Sequence, residues 1–120
     1  MQEYKLGDIE TRFADIIWSN EPINSSELVK LAEKELTWKK STTYTILRRL
    51  CERGIFQNWD SIVTSKISKE EFMALQSEKF VEETFSGSLP KFLAAFSSRK
   101  KLSEGEIKEV LEIILKDMNR

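Results

Sequence analysis

The chain has 120 residues, 40% hydrophobic and 10% aromatic, with 19 basic and 20 acidic side chains and a net charge of −1. That length suits one domain or two very small ones, and the apolar fraction suits a packed core rather than a disordered tail. With no histidine and a single cysteine, neither a zinc site nor histidine-based catalysis is expected within one chain, no metal or cofactor is implied, and no internal disulfide can form.

The opening MQEYKLGD carries acids and no apolar run, so no leader peptide is expected. No stretch of about 18 apolar residues occurs, so no membrane insertion is expected and the chain reads as cytoplasmic. From Asp8 to Ser19, Ile9, Phe13, Ile16 and Ile17 recur at spacings of three and four. This predicts an amphipathic helix with Asp8 as N-cap, closed by Trp18. Asn20-Glu21-Pro22 breaks it, because proline disfavours helical geometry at the preceding residue. Ile23 makes a short extended contact. Asn24 caps a second helix, with Glu27 reaching back in a capping box and Leu28, Leu31, Ala32 and Leu36 as the buried stripe.

The segment TWKKSTTYTILRRLCERG predicts a third helix, in which Tyr44, Leu47, Leu50 and Cys51 repeat at three and four beside Ile46, ended by Gly54 in the left-handed C′ position. Two runs rich in β-formers, 55–59 and 62–67, flank Asp60-Ser61 and predict a two-stranded hairpin, although Asp-Ser is a weaker turn signal than Asp-Gly. Three helices and a hairpin make a winged helix-turn-helix over residues 1–68. The fold class is therefore mostly α with a small β-hairpin, followed by a helical region over residues 69–120.

That second region opens on Ser68-Lys69-Glu70-Glu71, a capping box ahead of Phe72, Leu75, Phe80, Val81 and Phe85. After Ser86-Gly87-Ser88, residues Leu89, Phe92, Leu93 and Phe96 form a short apolar helix. A second box, Ser103 to Glu106, leads a helix bearing Ile107, Val110, Leu111, Ile114, Leu115 and Met118. Some fifty residues are marginal for an independent core. These helices either pack against a second copy or fold back on the first region. The reading adopted is a homodimer, with Phe80, Phe85, Leu89, Phe92, Leu93, Phe96, Ile107, Val110, Leu111, Ile114 and Leu115 at its interface.

Charge is concentrated elsewhere. Between Thr37 and Arg53, five bases (Lys39, Lys40, Arg48, Arg49, Arg53) stand against Glu52 alone, a local +4 in a chain of net −1. The other carboxylates are scattered at helical spacing and read as solvated helix faces. The same segment carries Ser41, Thr42, Thr43 and Thr45, whose hydroxyls near a helix N-terminus suit phosphate oxygens and base edges. The expected DNA-contacting set is Lys39, Lys40, Ser41, Thr42, Thr43, Thr45, Arg48 and Arg49. Arg can read guanine bidentately or hold a phosphate, and Thr can contact a thymine methyl. Arg49 or Arg53 can instead pair with acids on neighbouring helices, and Tyr44 can be core.

The run TWKKSTTYTILRRLCERGIF resembles the recognition-helix region of the BlaI/MecI/CopY repressors, the penicillinase and methicillin-resistance repressor family. LGDIETRFADIIWSNEPINSSELVKLAEKE resembles the family's first two helices, and the similarity continues through LSEGEIKEVLEIILK. The resemblance implies a homodimer that binds a palindromic double-stranded DNA operator and represses the genes behind it. It also implies induction through a membrane sensor metalloprotease that cuts in the dimerisation region. The matching bond here is Ala95-Phe96 within KFLAAF, where the family's Asn is absent.

Other departures are visible. Lys39 stands where many relatives have a Ser N-cap, leaving Ser41 as an alternative cap. The wing reads NWDSIV, so Asp60 repels phosphate, and Trp59 either packs or leaves the wing a weak contact. The paired Cys-x-Cys motifs of the copper-responsive branch are missing; Cys51 reads as a buried small hydrophobe. An enzyme is disfavoured by the missing histidine, the lone cysteine and the lack of a glycine-rich loop. A winged helix that binds protein instead of DNA is the remaining alternative.

Overall fold

The computed structural model describes residues 6–120; the reading of the first five as lacking leader character lies outside the described residues. The chain forms two compact units, one running to Lys79 and the other from Phe80 onward. The division falls eleven residues beyond the expected one at 68, because Phe72 is buried with the first unit's core. Among the described residues no helix is long and apolar enough to cross a membrane.

The first unit opens with α1 (Asp8–Asn20). Gly7, rather than Asp8, is its N-cap; the Gly7 carbonyl accepts from the Thr11 backbone N–H and hydroxyl, both at 2.9 Å. Asp8 and Glu10 sit in the first turn, where negative charge suits the helix dipole. The helix runs past Trp18 to Asn20, and Glu21, held extended ahead of proline, ends it.

A two-residue strand β1 (Ile23–Asn24) leads into α2 (Ser25–Leu36). Asn24 caps it as expected, accepting from the Ser26 N–H at 2.9 Å. The expected capping box is incomplete, because the Glu27 carboxylate turns to Lys30 at 3.3 Å. Thr37 ends α2 in the left-handed conformation (φ 56°), and its N–H meets the Ala32 and Glu33 carbonyls. Trp38 packs against Phe13 with ring centroids 4.9 Å apart and the ring planes tilted by 46°. These contacts hold the short turn Thr37-Trp38-Lys39 between α2 and α3 (Lys40–Glu52).

Gly54 follows α3 with φ 81°, as expected of a C′ glycine, and the Ile55 N–H reaches back to the Leu50 carbonyl at 3.1 Å. Strands β2 (Phe56–Trp59) and β3 (Ile62–Ser65) then form the wing, with Trp59 opposite Ile62 and Phe56 opposite Ser65. The sheet has three strands rather than two, in the order β1-β3-β2, because Ile23 and Asn24 pair with Val63 and Ile62. The core gathers Phe13, Ile17, Leu28, Leu50, Ile55, Phe56 and Val63, all essentially sealed from solvent. Each such side chain contributes roughly 1.5–3 kcal/mol relative to exposure.

The second unit takes in the last turns of α4 (Lys69–Phe85), then α5 (Leu89–Arg99) and α6 (Glu104–Met118). At the start of α4, Ser68 accepts from the Glu71 N–H at 3.0 Å, the first half of the expected box. Ser88 caps α5, and Ser103 with Glu106 completes both halves of the box on α6. Phe80, Phe85, Phe92 and Phe96 form a chain of tilted and edge-on ring contacts, with centroids 5.6–6.1 Å apart. Yet no residue of α5 or α6 is fully buried.

Candidate nucleic-acid interface

Helix α3 is held to the core by Thr43, Leu47 and Leu50. Thr43 is fully buried and donates its hydroxyl to the Lys39 carbonyl at 3.2 Å. This removes it from the expected DNA-contacting set: at 100° per residue it falls between Leu47 and Leu50 on the wheel, so it faces the core. The remaining expected residues, Lys39, Lys40, Ser41, Thr42, Thr45, Arg48 and Arg49, are all exposed.

The 3.6-residue period lines up Ser41, Thr45, Arg48 and Glu52 along the outward ridge, with Thr42 and Arg49 beside it. Ser41 does not cap the helix. The N-cap is Lys39, which makes no side-chain capping bond, so the leading N–H groups of Lys40, Ser41 and Thr42 have no intrahelical acceptor. Those donors, the positive end of the helix dipole, two lysines and two hydroxyls converge on one turn. Thr45 donates its hydroxyl to the Ser41 carbonyl at 2.9 Å. The hydroxyls of Ser41 and Thr42 make no hydrogen bond among the described residues.

Ion pairing separates the cations. Arg53 pairs with Glu10 at 3.5 Å, fastening the end of α3 to α1, and Lys69 pairs with Asp15 at 2.9 Å. Lys39, Lys40, Arg48 and Arg49 form no ion pair among the described residues, so their positive charge faces solvent. Glu52, the one acid of the segment, closes the ridge a turn beyond Arg48. Its place in the 3.6-residue period puts it on that ridge.

Beside α3, a shallow cleft is lined by Tyr44, Leu47, Arg48, Cys51 and Asn58. Asn58 was not anticipated. Strand alternation puts it on the same face as buried Phe56, toward α3, and that signal was available. Tyr44 is partly buried, its hydroxyl 3.4 Å from Ser25 Oγ. Cys51 is half-buried rather than sealed, and burial pushes its thiol pKa up despite the nearby Lys66 charge. Trp59 does not pack. It stands 81% exposed at the wing tip, next to Asp60 and Ser61, both at positive φ. Among the described residues no group of His, Cys, Asp and Glu is placed to hold a metal ion.

Residues 6–116 match the family model described as penicillinase repressor. The chain belongs to that family. Its similarity to the penicillinase repressor of Bacillus licheniformis is 27% identity, covering 97% of this chain and 94% of that protein. Similarity to the methicillin resistance regulatory protein MecI of Staphylococcus aureus strain Mu50 is 23%, covering 94% and 95%. Among solved structures, the DNA-binding domain of the repressor BlaI is 26% identical with a TM-score of 0.53, covering 59% of this chain and 93% of that one. The monomeric form of Bacillus licheniformis BlaI in complex with the blaP half-operator gives 26% and 0.50, with the same coverage. The resemblance carried by TYTILRRLCERG thus extends over nearly the whole chain, and the winged helix is the one expected.

Ala95 and Phe96 lie exposed within α5. Of the expected dimer residues, Phe80, Leu89, Leu93, Phe96, Ile107, Leu111, Ile114 and Leu115 are exposed, while Phe85, Phe92 and Val110 are partly covered within the chain. Ile107, Leu111, Ile114 and Met118 succeed one another at spacings of four, three and four, a seven-residue seam along α6. Met118 extends the expected set; Ile113 falls on the opposite face.

Proposed function

We propose that this chain is a DNA-binding transcriptional repressor that places α3 in the major groove of a palindromic operator. The observation that carries the reading is the outward side of α3. There, among the described residues, four cations without ion pairs, three leading N–H groups without intrahelical acceptors and two unbonded hydroxyls share one exposed surface. The likeness to a repressor domain whose relative is solved on a half-operator supports it. Lys39, Lys40, Ser41 and Thr42 take phosphate, while Arg48 and Arg49 reach base edges or the flanking backbone.

Two copies pair through the second unit. The seam on α6, with Leu111 and Ile114 half in solvent, and the open Leu89, Leu93 and Phe96 on α5 give each copy apolar surface that water opposes. Joining two half-site readers makes the second contact effectively intramolecular. A cut at Ala95-Phe96 by a membrane sensor metalloprotease would sever α5 and release the operator; the bond lies in regular helix, so the helix must open first. Action on DNA implies a cytoplasmic protein.

The test is a salt titration with a duplex of about 30 base pairs selected from a random pool, long enough for two half-sites. The logarithm of affinity should fall linearly with the logarithm of salt, by about 0.9 per phosphate neutralised. If no duplex is selected even at about 50 mM salt, where phosphate contacts count most, the reading fails. Exposed Trp59 beside Asp60 favours a protein-binding winged helix as the second reading, and that result would select it.

A further inference from the structure

We propose that Thr45 reads one thymine in each half-site through the base's C5-methyl group; the assignment rests on the DNA-binding reading above and names a specificity contact within it. Thr45 sits in the middle of the outward ridge, one turn after Ser41 and nearly one turn before Arg48. Its hydroxyl is committed inward, donated to the Ser41 carbonyl at 2.9 Å. A threonine in a helix has few allowed rotamers, because Cβ carries two heavy atoms. With the oxygen turned onto the helix backbone, the γ-methyl is left on the exposed surface.

The neighbours divide the remaining work. Ser41 and Thr42 keep free hydroxyls at the leading turn, among the unpaired N–H groups, where a phosphate oxygen is the fitting acceptor. Arg48 supplies donors on the next turn. Thr45 thus puts an apolar group at the centre of a polar, cationic face. In the major groove thymine alone offers an apolar group, its C5-methyl; the other bases show donors and acceptors. A methyl directed at any of those would leave them without water or partner. The complementary base is thymine, recognised by contact and not by hydrogen bonding.

The experiment uses the full chain and the duplex it selects. Each thymine is replaced in turn by deoxyuridine, which removes the methyl and keeps every hydrogen-bonding group. Thr45→Val keeps the methyl and the shape; Thr45→Ser keeps the hydroxyl and loses the methyl. One thymine per half-site should cost the wild-type chain about fourfold in affinity on conversion to deoxyuridine, the change expected for one methyl leaving an apolar contact. Thr45→Val should bind like wild type and keep that sensitivity. Thr45→Ser removes the methyl from both copies, so it should bind the thymine duplex about sixteenfold more weakly and be indifferent to deoxyuridine there. Thermal unfolding of each variant should match wild type, because the site is exposed. The assignment is overturned if wild type ignores every thymine replacement. It also falls if Thr45→Ser keeps full sensitivity, or if Thr45→Val loses binding while Thr45→Ser retains it, which would make the hydroxyl the reader. Selection of no duplex at all would instead take down the DNA-binding reading, and this assignment with it.

Discussion

The indole nitrogen of Trp18 donates to the Ile67 carbonyl at 3.1 Å, tying the end of α1 to the exit of the wing across 49 positions of sequence. The same ring packs on Phe56 at 5.2 Å and Phe72 at 5.4 Å. Trp18→Phe keeps an aromatic ring and loses the donor. It should destabilise by about 1 kcal/mol, the usual net contribution of one hydrogen bond, here a part-buried one. Urea unfolding measures this. An unchanged midpoint would show that water replaces the bond without loss.

Arg48→Ala and Arg49→Ala change exposed residues that no carboxylate holds among the described residues, so their unfolding midpoints should match wild type. Operator affinity should fall by about 1–3 kcal/mol for whichever arginine touches a base edge. That loss, counted per half-site, should come with relaxed preference at one base pair of each half-site. Lys40→Ala should instead weaken all sequences alike and reduce the salt slope by about 1.8, one phosphate contact at about 0.9 being lost from each copy. Fluorescence anisotropy at several salt concentrations separates the two patterns.

Leu111→Asp puts a charge into the half-exposed α6 seam. Sedimentation should show monomers, and operator affinity should drop although no residue of α3 has changed. A variant that remains dimeric and binds normally would move the pairing surface away from α6.

The Glu106 carboxylate is held below its usual pKa by the Ser103 backbone N–H, then by the Ser103 hydroxyl acting through the cap. A lowered folded-state pKa means the cap's contribution is present above the unfolded pKa and is lost as pH falls through the folded one. The first turn of α6 should therefore loosen on acidification below the ordinary glutamate range. Amide exchange at Ile107 followed against pH reads this, and Glu106→Gln should flatten the profile.

Most of this architecture was legible because periodicity was strong where burial was one-sided. Leu28 and Ala32 on α2, and Leu47 and Leu50 on α3, follow a single stripe, and Gly54 marks a helix end that requires positive φ. Thr43 shares its residue type with the outward hydroxyls but its wheel position with the core, so residue type alone points the wrong way. Gly7 displaced Asp8 as cap because a backbone carbonyl served Thr11, which composition cannot reveal. The left-handed Thr37 carries no residue signal, since threonine is disfavoured there; the tertiary packing of Trp38 against Phe13 decides it. β1 was visible only as Ile23, because a two-residue strand exists through its partner β3 and not through its own pattern.

The wing turn has a bearing on the order in which the protein folds. Asp60 and Ser61 both lie at positive φ, in a position that Asn-Gly would fill with less strain. So weak a turn does not nucleate a hairpin. The register must come from outside: β1 pairs along β3, the Ser25 N–H takes the Ser61 carbonyl at 2.8 Å, and the Glu21 carboxylate accepts from the Ser65 N–H and hydroxyl at 2.8 Å. A peptide of residues 54–67 should therefore show no cross-strand nuclear Overhauser effects in water. In the intact chain the wing should acquire amide protection only after α1 and α2 have docked, which makes it a late-folding element templated by the helices it flanks.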